Sequence, residues 1–123
     1  MDTYIKTVPG KGRGVFAERA FEKDEVIEKT PVNILNKEDT AVIVRTMLER
    51  YVFEWGEHRD EAAIALGHGS LYNHSYQNNA SYIRHSEEIW FVALREIEQG
   101  EEITVNYNGG QLNQLASVGF EVK

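Results

Sequence analysis

Cysteine is absent from the 123 residues. That excludes disulfides, Cys-ligated zinc and a cysteine nucleophile. Histidine is sparse too: His58, His68, His74 and His85 are all there is, and none forms a compact metal spacing such as HExxH. No metal is expected. No apolar run approaches the ~18 residues a membrane span needs. The short charged start has no signal-peptide core, so a cytoplasmic location is expected, or a nuclear, chromatin-associated one in a eukaryote or virus. Positive charge is in deficit, with 13 Lys and Arg against 20 Asp and Glu and a net charge of -7. That argues against direct binding of nucleic acid, which wants clustered cations. It is compatible with a basic peptide partner, and equally with simple solubility. The length fits one domain spanning residues 1–123.

The most unusual stretch is Gly67 to Asn79, GHGSLYNHSYQNN. It holds two glycines, two histidines, two tyrosines and three asparagines, with Leu71 the only large aliphatic. Asn-His-Ser is a turn-prone tripeptide that offers an amide, an imidazole and backbone groups at one place. Alone it reads as a surface loop. A second unusual stretch, GKGRGVFA over residues 10–17, has glycines that permit positive backbone dihedrals and close approach to a ligand. It is neither a dinucleotide-binding fingerprint nor a P-loop, and by itself it reads as a tight turn between strands.

The rest of the chain alternates short strand signals with turns. Tyr4, Ile5 and Val8 begin the first strand, and Val15 to Ala17 leave the glycine turn. Val26 and Ile27 open the next, with Pro31 marking an edge strand or its exit. Asn36 to Trp55 carries the helical signal, with Asn36 or Asp39 as N-cap and Val42, Ile43, Met47 and Leu48 at helical spacing. Tyr51, Phe53 and Trp55 read as extended. Ile89 to Leu94 reads as a strand buried on both faces. Ile103 to Tyr107 alternates with period two. Together these predict a β-rich α+β domain.

Three pieces now stand in order: GKGRGVFA, NHSYQNN and FVALREIEQGEEITVNY. In this combination the chain resembles the SET domain family of S-adenosylmethionine-dependent protein-lysine methyltransferases. The resemblance spans residues 10 to 107, and the size is similar to that of stand-alone SET proteins of viruses and bacteria. It implies a β-clip-like fold of several short strands in small sheets, with one insert helix and a C-terminal pseudoknot. It implies S-adenosylmethionine as cofactor, held by Lys11, Gly12, Arg13 and Gly14 of the glycine turn, by Asn73 and His74, and by Tyr107. It makes Tyr107 the catalytic tyrosine and puts Tyr51, Tyr72 and Val105 along the substrate channel. The implied partner is a basic, lysine-containing protein or peptide, histone or histone-like, and compact members of this size can form homodimers.

The chain departs from the family pattern. NHSCxPN reads NHSYQNN, with Tyr76 and Asn78 at the changed positions. Asn106 replaces the aspartate that commonly precedes the tyrosine. Val105 stands where Phe or Tyr is frequent, which leaves the number of methyl groups added open. Cysteines after the domain are missing, so Leu115 or Phe120 would close the site. Two other readings stay open: a non-catalytic SET-like binding module, and a β-clip carbohydrate-binding domain. Methyl transfer itself needs a narrow, dry channel lined by Tyr51, Tyr72, Tyr82, Trp90, Phe91 or Tyr107, a few oxygen atoms and accurate alignment.

Overall fold

Two strands meet at the glycine turn: β1 (Thr3–Val8) and β2 (Gly12–Ala17) form an antiparallel hairpin. The turn closes with the Lys11 N–H donating to the Val8 carbonyl at 3.0 Å. Gly10 and Gly12 sit at φ +80° and +81°, a region side chains rarely adopt, which is why glycine stands there. The computed structural model describes residues 2–58 and 60–107. Of the sequence expectations, the C-terminal pseudoknot and closure by Leu115 or Phe120 fall outside those residues.

Beyond the hairpin come β3 (Val26–Leu35), helix α1 (Lys37–Ile43), a 3-10 turn (Met47–Tyr51), β4 (Val52–Trp55) and β5 (Glu61–Ala65). They are followed by β6 (Asn73–His74), β7 (Ala80–His85), β8 (Glu88–Ala93) and β9 (Glu102–Val105). These form two sheets, a four-stranded one in the order β1-β2-β9-β6 and a five-stranded one in the order β4-β5-β3-β8-β7. The architecture is the β-rich, small-sheet α+β fold the sequence implied.

Three details differ from the sequence reading. Pro31 lies inside a long central strand and not at an edge. β3 pairs with β8 up to Pro31 and with β5 from Val32 onward. The Pro31 carbonyl accepts from Leu66, just past the end of β5, so the missing N–H points to the side where β5 has already ended. The helix is also shorter than its signal. Asn36 caps it, accepting from the Asp39 N–H at 2.8 Å, but it ends at Ile43. The apolar residues at helical spacing do not form a core face: Met47 is 70% and Val42 60% exposed. Finally, β9 stops at Val105, so Tyr107 lies beyond the strand.

The core runs between the sheets and includes Val15, Phe21, Tyr82, Ile89, Phe91, Ile97 and Ile103. Burying each large apolar side chain of this kind contributes about 2 kcal/mol. β8 lies between β3 and β7 with Ile89, Phe91 and Ala93 fully buried on one face, but on the other face Trp90 is only half-buried, so the strand is not buried throughout on both faces.

Candidate functional site

The four-stranded sheet brings the three sequence pieces together. Antiparallel pairing sets Val15 of β2 against Ile103 of β9. On the other side β9 runs parallel to β6, pairing Asn73 with Thr104 and His74 with Val105. One strand, β9, therefore carries the glycine turn on one flank and the Asn-His pair on the other, and Tyr107 follows two residues after it.

Asn73 links the pieces. Its amide nitrogen donates to the Arg13 carbonyl at 3.2 Å and to the Glu102 carboxylate at 2.8 Å. Both donors are thus used within the protein, and Oδ1 remains as the acceptor to offer a ligand. Gly14 needs clearance here. A Cβ at that position would stand 2.6 Å from Glu102 Oε2 and 2.8 Å from Asn73 Nδ2.

His74 Nδ1 accepts from the backbone N–H of Tyr107 at 3.0 Å. Burial first, then the charge of Lys11, pushes this imidazole below its ordinary pKa. It is therefore neutral at pH 7, and with Nδ1 accepting, Nε2 carries the proton. That Nε2 is buried and has no hydrogen-bond partner among the described residues. A buried donor without an acceptor is costly, and a ligand acceptor would relieve it. Tyr76, at a position departing from the family pattern, lies edge-on to the His74 ring at 4.4 Å and is 70% exposed.

The Tyr107 hydroxyl donates to the Tyr72 carbonyl at 2.7 Å, and the Tyr107 carbonyl accepts from the Tyr82 hydroxyl at 3.0 Å. Its backbone is thus pinned at both N–H and C=O, and its ring is tied at the tip. Burial, then the neighbouring Tyr51, raises the Tyr107 hydroxyl pKa, so it stays protonated at neutral pH. Tyr72 stacks on Phe91 with ring centroids 4.1 Å apart. Phe53 meets Tyr82 edge-on at 5.3 Å.

These groups line one cavity of about 500 Å³. Lys11, Gly12, Arg13, Tyr51, Tyr72, Asn73, Val105 and Tyr107 all face it. Gly14 and His74 lie just behind, through Asn73 and the Tyr107 amide. Trp90, a candidate wall residue from the sequence, is not among the lining residues. It stacks on His85, lies under Lys29 and donates to Glu88. Residues at the site that the sequence did not single out include Glu49, Arg50, Phe53 and Ser70, which line the cavity, and Glu28 and Glu102, which support it. Among the described residues no cluster of His, Asp or Glu could hold a metal ion, and no helix is long and apolar enough to cross a membrane.

Comparison with known proteins bears on what such a cavity does. A model of the SET domain matches residues 12–108. A Schizosaccharomyces pombe protein, a histone-lysine N-methyltransferase described as H3 lysine-37 specific, is 33% identical over 106 residues. The match covers 84% of this chain and 71% of that protein. A crystal structure of a candidate histone methyltransferase from Plasmodium falciparum superposes with a TM-score of 0.72 at 31% identity, covering 89% of this chain and 95% of that one. An inhibitor-bound, humanized mutant of the Chaetomium thermophilum Polycomb Repressive Complex 2 superposes with a TM-score of 0.68 at 20% identity. That likeness covers 91% of this chain and 15% of the other and is one of fold. With the glycine turn, Asn73 and the tyrosine that follows β9 meeting at one cavity, the chain belongs to the SET domain family of protein-lysine methyltransferases.

Proposed function

We propose that this enzyme uses S-adenosylmethionine to methylate lysine in a basic, histone-like protein segment, with Tyr107 as its catalytic residue. The observation that carries this reading is the Tyr107 hydroxyl, held by the Tyr72 carbonyl inside a cavity that also receives the glycine turn. When bound, the cofactor supplies an electrophilic methyl group on a sulfonium.

The residues present fit that cofactor. Asn73 on the cavity wall offers an acceptor, and behind it the buried Nε2–H of His74 has no partner among the described residues. Lys11 and Arg13 bring positive charge suited to a carboxylate, Gly12 lets backbone approach closely, and Gly14 makes room for the Asn73 amide. The remaining wall suits lysine. Tyr51, Tyr72, Phe53, Tyr82, Phe91 and Val105 give the channel aromatic and aliphatic surface, beside Glu49, Arg50 and Ser70. A lysine amine, with a reference pKa of about 10.4, must be neutral to react, and desolvation in such a channel favours the neutral form. The Tyr107 hydroxyl gives its one proton to Tyr72, so its lone pairs serve as fixed acceptors beside the amine. The chain's net charge of -7 favours a basic substrate, and the yeast relative's histone H3 specificity supports a histone tail and a place at chromatin.

Incubation with labelled S-adenosylmethionine and a mixture of core histones tests the proposal. Label should appear in a histone and vanish when its target lysine becomes arginine. Labelling of none of the histones, or labelling independent of lysine, would remove the histone assignment. The glycine turn gives a separate test. Gly14→Val should displace the Asn73 amide and weaken binding of S-adenosylhomocysteine by about tenfold or more, as expected when a buried hydrogen-bond partner is lost. Lys11→Ala should weaken it less. Equal affinities for both variants by calorimetry would make the turn structural only.

A further inference from the structure

Glu28 presents a carboxylate on the inward face of a central strand. In the β3–β8 register it sits opposite Phe91, and the next inward pair is Thr30 with Ile89, all three of these neighbours fully buried. A charge on that face is costly unless hydrogen-bonded. Both of its oxygens are in use. Oε1 accepts from the Tyr72 hydroxyl at 2.6 Å, and Oε2 accepts from the His68 backbone N–H at 2.9 Å. One side chain therefore grips both ends of the segment from His68 to Tyr72. The Leu71 N–H donates back to the His68 carbonyl at 2.9 Å, closing the segment as a turn. Tyr72 is 2% exposed, and its ring is held between this hydrogen bond and the Phe91 stack. Its carbonyl receives the Tyr107 hydroxyl.

We propose that Glu28 is a positioning residue for the methyl-transfer reaction: through Tyr72 it fixes the carbonyl that aims the Tyr107 hydroxyl. This rests on Tyr107 as catalytic residue. Glu28 itself is not among the residues lining the cavity; it acts through the tyrosine wall. Alternation with buried Thr30 and Val32 turns the carboxylate inward, and the register shift between Val26 and Glu28 lets Ile27 stay buried as well. The strut is a charge-assisted hydrogen bond, shorter and stronger than a neutral one. Small losses of alignment are amplified at the reacting atoms, where a full ångström costs about a hundredfold.

Glu28→Gln keeps the size but can accept from only one of the two donors. Tyr72→Phe keeps the Phe91 stack and removes the hydroxyl. Each should lower kcat on core histones by about tenfold, with the dissociation constant for S-adenosylhomocysteine nearly unchanged. The double variant should be no slower than the slower single one, since both cut the same strut. A second readout needs neither cofactor nor turnover. Amide hydrogen exchange in residues 68–74 should quicken in Glu28→Gln while β7 and β8 keep their protection. A folded Glu28→Gln or Tyr72→Phe protein with parental kcat overturns the proposal, as do multiplying losses in the double variant or unchanged exchange in residues 68–74. Tyr107→Phe is assayed alongside. If that variant is slow while Glu28→Gln is not, only the role of Glu28 falls. If Tyr107→Phe keeps the parental rate, the catalytic reading of Tyr107 falls, and this proposal with it.

Discussion

Tyr107→Phe should slow methyl transfer by about 10²–10³-fold, some 3–4 kcal/mol in the barrier, the usual loss when one preorganised dipole is removed from a reacting centre. The ring should stay where it is. Its backbone N–H remains bonded to His74 and its carbonyl to the Tyr82 hydroxyl, so only the tip changes. The cost to folding is that of one hydrogen bond, about 1 kcal/mol, because the Tyr72 carbonyl loses its donor. Cofactor affinity should be nearly preserved. The measurement is single-turnover methylation at saturating cofactor, with thermal melting as the control for folding. A folded variant that methylates at the parental rate would mean the active site lies elsewhere.

Asn79→Ala should have the largest effect on stability. Asn79 is 2% exposed and joins two strands of different sheets. Its Nδ2 donates to the Glu102 carbonyl at 2.8 Å, and its Oδ1 accepts from the Thr104 N–H at 2.9 Å. Its own carbonyl accepts from the Leu94 N–H at 2.9 Å. Alanine would strand a donor and an acceptor of β9 in the interior, at about 1–3 kcal/mol each. For a domain of this size a loss of about 3 kcal/mol lowers Tm by roughly 10 °C. Because β9 also pairs with Asn73 and His74, cofactor binding should weaken with it. A melting temperature within two or three degrees of the parent, set against that estimate of roughly 10 °C, would refute this account of the final asparagine in the NHSxxxN pattern.

Local chemistry was legible where it is decided locally. Positive-φ glycines at 10 and 12, the Asn36 cap and the apolar run of β8 follow from residue type alone. The order of the three motif pieces carried the family. What stayed hidden depends on tertiary register. Nothing in VIEKTPV singles out Glu28, whose partners His68 and Tyr72 come from a segment 40 and 44 residues further along. Pro31 reads as an edge signal, yet one long strand changes partner at that point. Val42, Met47 and Leu48 have the spacing of a buried helix face, but Val42 faces solvent within α1, and Met47 and Leu48 lie beyond its end in the 3-10 turn. The need for glycine at position 14 was legible, but not its cause, which is the Asn73 amide and Glu102 carboxylate from distant segments.

The pairing of β2 with β9 sets the order of events in folding. Val15 must find Ile103, from the opposite end of the described chain, before the four-stranded sheet exists. The parallel β6–β9 pair likewise waits for β9. Such non-local pairings require loop closure before contacts reward it, which places refolding in the range of roughly milliseconds to seconds. The β1–β2, β4–β5 and β7–β8 pairs lie closer in sequence and can form earlier. On a ribosome, the cavity would then be assembled only after Tyr107 has emerged, and shorter nascent chains would be unable to hold the cofactor. Cofactor capture by stalled chains lacking β9 would contradict this order.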